Sequence, residues 1–91
     1  MKSQDLAKLN LPQAPGVYFW KKGNAILYIG KATSLRDRVR SYFASDLIDS
    51  RGPGILDMVT QATTVEYEET PSVLEALILE ANLIKKHQPK Y

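Results

Sequence analysis

Two runs near the N-terminus alternate in the manner of strands. Val17 to Lys21 and Ala25 to Ile29 are rich in β-branched and aromatic residues, and Lys22-Gly23-Asn24 between them is a hairpin signal. Loop length decides which side chains share a face. A two-residue loop of Gly23-Asn24 pairs Tyr18 with Ile29 and sends Tyr18 and Tyr28 to opposite faces. A three-residue loop, Lys21-Lys22-Gly23 with Gly23 left-handed, gathers Val17, Phe19, Ala25, Leu27 and Ile29 on one apolar face. Tyr18, Trp20, Ile26, Tyr28 and Gly30 then occupy the other. Because burial selects the register that sorts the aliphatics together, the second arrangement is expected.

Beyond the hairpin the period changes to that of helices. Ser34, with Asp37 three residues on, opens a helix carrying Leu35, Val39 and Tyr42/Phe43 at helical spacing. Gly52, Pro53 and Gly54 mark a loop over Ser50 to Gly54, with a helix expected from Ile55 to Gln61. A third strand follows at Thr64 to Glu68, with Val65 and Tyr67 on one side and Glu66 and Glu68 on the other. The last helix starts at either a Thr70 cap with Pro71 next or a Ser72/Glu75 capping box, and runs to about Lys86. The stretch through Asn10 reads as a short helix or arm. These elements predict an α+β domain, a small antiparallel or mixed three-stranded sheet packed with helices.

The 91 residues leave room for one core. No apolar stretch is long enough to span a bilayer, Met1 is followed by no signal-like run, and a cytoplasmic location is expected. The absence of cysteine excludes disulfides and thiolate metal sites, and a single histidine argues against a zinc site. The net charge of +2 is small but unevenly spread. Lys21, Lys22, Lys31, Arg36, Arg38, Arg40 and Arg51 lie in the first part of the chain, and Glu66, Glu68, Glu69 and Glu75 later, so one surface can attract phosphate while another repels it.

Candidate chemistry follows from these placements. Tyr18 and Tyr28 share a sheet face in the expected register, although paired aromatics in strands more often serve packing. Gly30 at a strand end suits close approach by a ligand or another backbone. Helical periodicity places Arg38 on the Tyr42 edge, where its planar fork can donate two hydrogen bonds to a phosphate. Arg36 and Arg40 point elsewhere and suit solvent or DNA backbone. Glu80 interrupts an aliphatic helix on the stripe of Val73, Leu77 and Ile84, where a lone carboxylate is costly. It therefore either pairs with Lys31 or Arg38, or holds a magnesium or manganese ion that keeps waters and takes phosphate oxygens. Asn82 and His87 read as surface or helix-end residues.

Four segments stand in one order: Pro15-Gly16-Val17-Tyr18, Tyr28-Ile29-Gly30-Lys31-Ala32, Leu35 through Tyr42, and Glu75 through Lys86. In this they resemble the GIY-YIG nuclease superfamily, and within it the excinuclease type of bacterial nucleotide excision repair. The resemblance covers nearly all of the chain. It implies single-metal hydrolysis of damaged double-stranded DNA with Mg²⁺ or Mn²⁺, leaving a 3′-hydroxyl and a 5′-phosphate, 3′ to a lesion. It implies that Glu80 binds the metal, Arg38 holds the scissile phosphate, Tyr18 and Tyr28 line the site with one activating water, and Tyr42 contacts the phosphate. Lys31 would favour a phenolate by its charge, and Gly30, Arg36 and Arg40 would contact DNA. Sequences of this type continue past Pro89-Lys90-Tyr91 into an asparagine that contributes to the site. The resemblance thus implies a fragment of a longer protein, without the parts that engage the partner UvrB. A GIY-YIG repair nuclease of another type, or a non-catalytic docking module, are the alternatives. Metal binding through Glu80 separates nuclease from docking module.

Overall fold

The computed structural model describes residues 5, 8–43 and 53–91. Strands β1 (Gly16–Lys22), β2 (Ala25–Ala32) and β3 (Thr64–Glu69) form one antiparallel sheet in the order β2-β1-β3, so the chain's first strand lies at the centre. Helices α1 (Leu35–Ser41) and α2 (Pro53–Gln61) supply one layer and α3 (Val73–His87) the other. The class is α+β, as the sequence predicts. Among the described residues, no helix is long and apolar enough to cross a membrane. Arg51, Ser50, Gly52 and most of the stretch before Asn10 lie outside the described residues.

Alternation along β1 divides the interior. Tyr18 and Trp20 join Leu27, Leu35, Val39, Tyr42, Met58 and Val65 in the larger cluster, between the sheet and α1/α2. Val17 joins Ile29 and Ala76 in a smaller one on the α3 side, flanked by Phe19, Ile26, Leu79 and Leu83. Val65 sits opposite Trp20 and Tyr67 opposite Tyr18, which puts both on the site side as expected.

The hairpin departs from expectation in an instructive way. Lys22 pairs with Ala25, so the loop is the two-residue Gly23-Asn24, with Gly23 left-handed at φ 59. Gly23 alone of the two has positive φ, the pattern of a type II′ turn. Left unmodified, that loop would pair Tyr18 with Ile29. Instead the register shifts between Trp20 and Lys21: Lys21 faces Ile26, Trp20 faces Tyr28, and Leu27 is an extra residue with no partner on β1. From there Phe19 faces Ile29 and Tyr18 faces Gly30. A bulge turns two successive residues toward one side. Leu27 accordingly packs with Tyr18 and Trp20, and Ile26 with Val17 and Ile29, the reverse of their expected faces. Ala25 is exposed rather than apolar core. The shared face of Tyr18 and Tyr28 survives, reached by a bulge in the strand rather than by a longer loop.

The caps are local. Ser34 accepts the Asp37 N–H at 3.5 Å, and Ser72 accepts the Glu75 N–H at 3.2 Å, which decides the start of α3 in favour of the Ser72/Glu75 box. Helix α2 begins at Pro53, two residues before the expected Ile55; a proline is already set for a first helical turn. A side chain at Gly16 would overlap the Glu68 carbonyl and crowd Leu35, so this glycine lets β3 and α1 close on the central strand.

Candidate active site

Three phenols meet on the α1 side of the sheet. Ring centroids of Tyr18 and Tyr28 are 6.3 Å apart, of Tyr18 and Tyr42 5.8 Å, and of Tyr28 and Tyr42 6.4 Å. Tyr18 and Tyr42 are 1% and 0% exposed and their hydroxyls share a 2.6 Å hydrogen bond, whereas Tyr28 is only partly buried. Each comes from a different element, β1, β2 and the end of α1. Their meeting depends on the bulge that places Tyr28 on this face.

Gly30 has a structural part in the arrangement. A Cβ there would overlap the ring and hydroxyl of Tyr18, so the strand opposite must be bare for that ring to lie across it. The close approach expected at Gly30 is made by a side chain of the same sheet.

Arg38 faces the Tyr18 hydroxyl, on the Tyr42 edge of α1 as the periodicity predicts. Partial burial works against its charge, but the hydrogen bond to Tyr18 and attraction to the Tyr18, Tyr42 and Tyr28 oxygens outweigh it and hold its pKa above the usual value. Burial pushes the Tyr18 phenol up, against hydrogen bonds with Tyr42 and Arg38 that pull it down. Tyr18 therefore stays protonated at neutral pH and acts as a hydrogen-bonding group. Arg36 pairs at 3.4 Å with Asp37 and Arg40 is exposed, so Arg38 is the arginine that meets the Tyr18 phenol.

Glu80 sits at the border of the site, half-buried, with Oε2 accepting the main-chain N–H of Lys31 at 2.8 Å. Among the described residues the ion pairs are Lys21–Glu66 and Arg36–Asp37, so the alternative reading of Glu80, a pairing with the Lys31 ammonium or Arg38, is not what forms. The stripe assigned to Glu80 is also corrected: Val73, Leu77 and Ile84 are 42%, 45% and 39% exposed, and the face of α3 toward the sheet is Ala76, Leu79 and Leu83. Glu80 neighbours Ala76 one turn on, at the rim of that face. The Lys31 side chain is exposed.

An open groove of about 600 Å³ runs beside the phenols, lined by Lys31, Ala32, Thr33, Ser34, Asp37, Arg38, Ser41 and Val73. Two cations and several hydroxyls line it, which suits a phosphodiester strand. Thr33 and Ser41 were not singled out from sequence, and nothing in their spacing marks them. No group of three or more His, Asp or Glu side chains that could hold a metal occurs among the described residues. A metal here would be held by the Glu80 carboxylate, whose Oε1 has no hydrogen-bond partner among the described residues, with water and phosphate oxygens completing its shell. That donor set fits magnesium or manganese.

Residues 14–91 match the family model of the UvrC-like GIY-YIG domain. The chain belongs to the UvrC-like GIY-YIG domain family. It is 47% identical over 91 residues to UvrABC system protein C of Thermus thermophilus, covering 100% of this chain and 14% of that protein. To its counterpart in Alkaliphilus metalliredigens it is 54% identical over 82 residues, 89% of this chain and 13% of that one. It thus spans about one-seventh of the length of the curated relatives it matches. The magnesium-bound crystal structure of the GIY-YIG N-terminal endonuclease domain of UvrC from Thermotoga maritima superposes with a TM-score of 0.82 at 39% identity, over 100% of this chain and 98% of that one. A variant of the Thermotoga domain with a tyrosine replaced by phenylalanine, also bound to its catalytic divalent cation, gives a TM-score of 0.82 at 38% identity, over 100% and 98% of the two chains. The antiparallel sheet with three helices and the endonuclease class implied by the four sequence segments are those of this GIY-YIG family.

Proposed function

We propose that this domain makes the incision 3′ to a lesion in damaged double-stranded DNA, as the nuclease module of an excision complex in which the longer protein engages UvrB, with one Mg²⁺ or Mn²⁺ ion. The observation that carries this reading is the convergence of Tyr18, Tyr28 and Tyr42 with Arg38, which lines a groove together with Lys31, the residue whose main-chain N–H Glu80 accepts.

The roles divide by exposure and charge. Arg38, always cationic, donates its planar fork to the scissile phosphate and offsets the charge that builds there. Tyr18 and Tyr42, buried and bonded to each other, fix this corner of the site: the Tyr18 oxygen accepts from the Arg38 guanidinium, and Tyr42 contacts the phosphate. Tyr28 is the phenol that a water molecule can reach, because it alone of the three is only partly buried, and it takes the proton of the attacking water. Lys31 lines the groove, where its ammonium offers a positive charge to the DNA strand. Glu80 would hold the metal, and a bound divalent ion would supply positive charge that offsets the charge building on the phosphate. Arg36 and Arg40 meet the flanking DNA, whereas Gly30, buried under the Tyr18 ring, acts by making room for that ring. The products are a 3′-hydroxyl and a 5′-phosphate.

Glu80→Gln tests the reading in the full-length protein loaded with UvrB on a lesion duplex. The amide oxygen can still accept the Lys31 N–H, and with no ion pair to break the melting temperature should change little. Manganese-dependent nicking should be abolished and DNA affinity kept. A Glu80→Gln variant that nicks like the wild type removes the metal role; a wild type that binds DNA but never nicks makes the domain a docking module.

A further inference from the structure

Helix α3 ends at Gln88, which adopts a left-handed conformation (φ 46) and returns its N–H to the Ile84 carbonyl at 2.8 Å; Pro89 then prevents the helix from continuing. The chain turns back to the sheet. The Tyr91 N–H donates to the Leu27 carbonyl at 2.9 Å, and the Tyr91 ring packs against the larger cluster, to which Leu27 belongs. At the far end of that ring, the phenol donates to Asp57 Oδ2. Gln61, one turn on along α2, donates to the same carboxylate oxygen at 2.9 Å and to the Tyr91 hydroxyl at 3.2 Å. The tail is fixed at both ends of one residue, its main chain to β2 and its side chain to α2.

Leu27 is the extra residue of the bulge, the one position of β2 without a partner on β1. A bulge disrupts its ladder. Removing it returns the hairpin to the register that the Gly23-Asn24 loop sets by itself, which pairs Tyr18 with Ile29 and sends Tyr28 to the α3 side. Selecting one register over another by a single residue needs an interaction specific to the bulged form, and the Tyr91 N–H supplies it on the outer edge of the sheet.

We propose that Asp57 and Tyr91 are positioning residues: their hydrogen bond straps the Gln88–Tyr91 segment against β2, stabilises the Leu27 bulge, and so holds Tyr28 on the face of Tyr18 and Arg38. This rests on the reading of Tyr28 as a working phenol of the nuclease. The carboxylate of Asp57 is held below its usual pKa range by Tyr91 and Gln61, and the Tyr91 phenol is pushed up by Asp57, in keeping with a bond formed between them.

The test uses Tyr91→Phe, Asp57→Ala, which leaves the phenol no acceptor on this exposed helix position, and the double variant. The phenylalanine ring keeps its place in the core, so the fold is expected to persist. With tyrosines labelled at Cζ, the Tyr28 resonance should move or broaden in each variant while Tyr67, on the far strand, stays in place; general loosening would move both. Single-turnover nicking, measured well below the melting temperature, should fall by about 10-fold in each variant and no further in the double, because one bond is lost in all three. An unmoved Tyr28 resonance, or losses that multiply in the double variant, overturns the proposal. Should the wild type not nick at all, the proposed function fails, and the resonance alone still decides whether the strap holds Tyr28.

Discussion

The two faces of the sheet come from the same strand residues taken alternately, yet they differ in kind. On the α3 side Val17, Ile29 and Ala76 pack with Phe19, Ile26, Leu79 and Leu83, side chains with no polar atom to satisfy. On the α1 side the largest fully buried side chains are Trp20, Tyr18 and Tyr42, which carry two hydroxyls and an indole N–H into the interior. The hydroxyls answer each other, while Trp20 Nε1 has no hydrogen-bond partner among the described residues. A domain of this size has too little interior to separate a core from a site. One face is core only, and the other is core and site at once, so a change on the first should act on stability and a change on the second on both.

The largest test of that division is Arg38→Ala, which leaves both cores intact. Single-turnover nicking should fall by about 10² to 10³, the usual cost of losing a preorganised charge donor. Arg36→Ala and Arg40→Ala should instead flatten the salt dependence of binding with little effect on the rate. Equal losses at all three would reduce Arg38 to a backbone contact and dissolve the distinction between site and surface.

A paired substitution sharpens the comparison. Gly30→Ala drives a methyl into the Tyr18 ring and should cost about 1 to 3 kcal/mol; Val17→Ala leaves a small void on the other face and should cost about 2 kcal/mol. Thermal melts should therefore look alike. Nicking below the melting temperature should fall only for Gly30→Ala, because only there is a phenol displaced; a matching fall for Val17→Ala would mean that the faces are coupled.

The smallest effect concerns alkaline stability. The Tyr18 phenol is raised by burial, so the folded state resists ionising it while the unfolded chain ionises near 10.0. Its contribution is complete below that pH and is lost as pH rises from there toward the folded value. Tyr18→Phe should lose stability less steeply in melts carried above pH 10; a part of the alkaline loss will remain, since Tyr91 is raised as well. An unchanged slope would mean that the buried phenol is not desolvated as described.

What the chain determines by itself is local. Ser34 and Ser72 cap helices because a hydroxyl can reach an N–H three residues on whatever lies around it, and strand alternation separates Tyr18 and Trp20 from Val17 and Phe19 for any partner strand. The four segments likewise carry the family in their order. Loop chemistry was legible too: Gly23-Asn24 is a two-residue turn, and only the wish to keep the aliphatics together argued for a longer one. Sorting by burial found the right companions for Tyr18 and Tyr28 but not the bulge at Leu27, since a bulge leaves no mark in periodicity and depends here on a tail 64 residues further along, at Tyr91. The exposed flank of α3 escaped for a related reason. A helix with apolar residues on several sides does not state which of them the sheet will cover, and a sheet this narrow covers only Ala76, Leu79 and Leu83. Glu80 thereby comes to the rim beside Lys31, and whether its carboxylate meets an ammonium or a main-chain N–H is a matter of a few ångströms between elements far apart in sequence, set only when those elements pack.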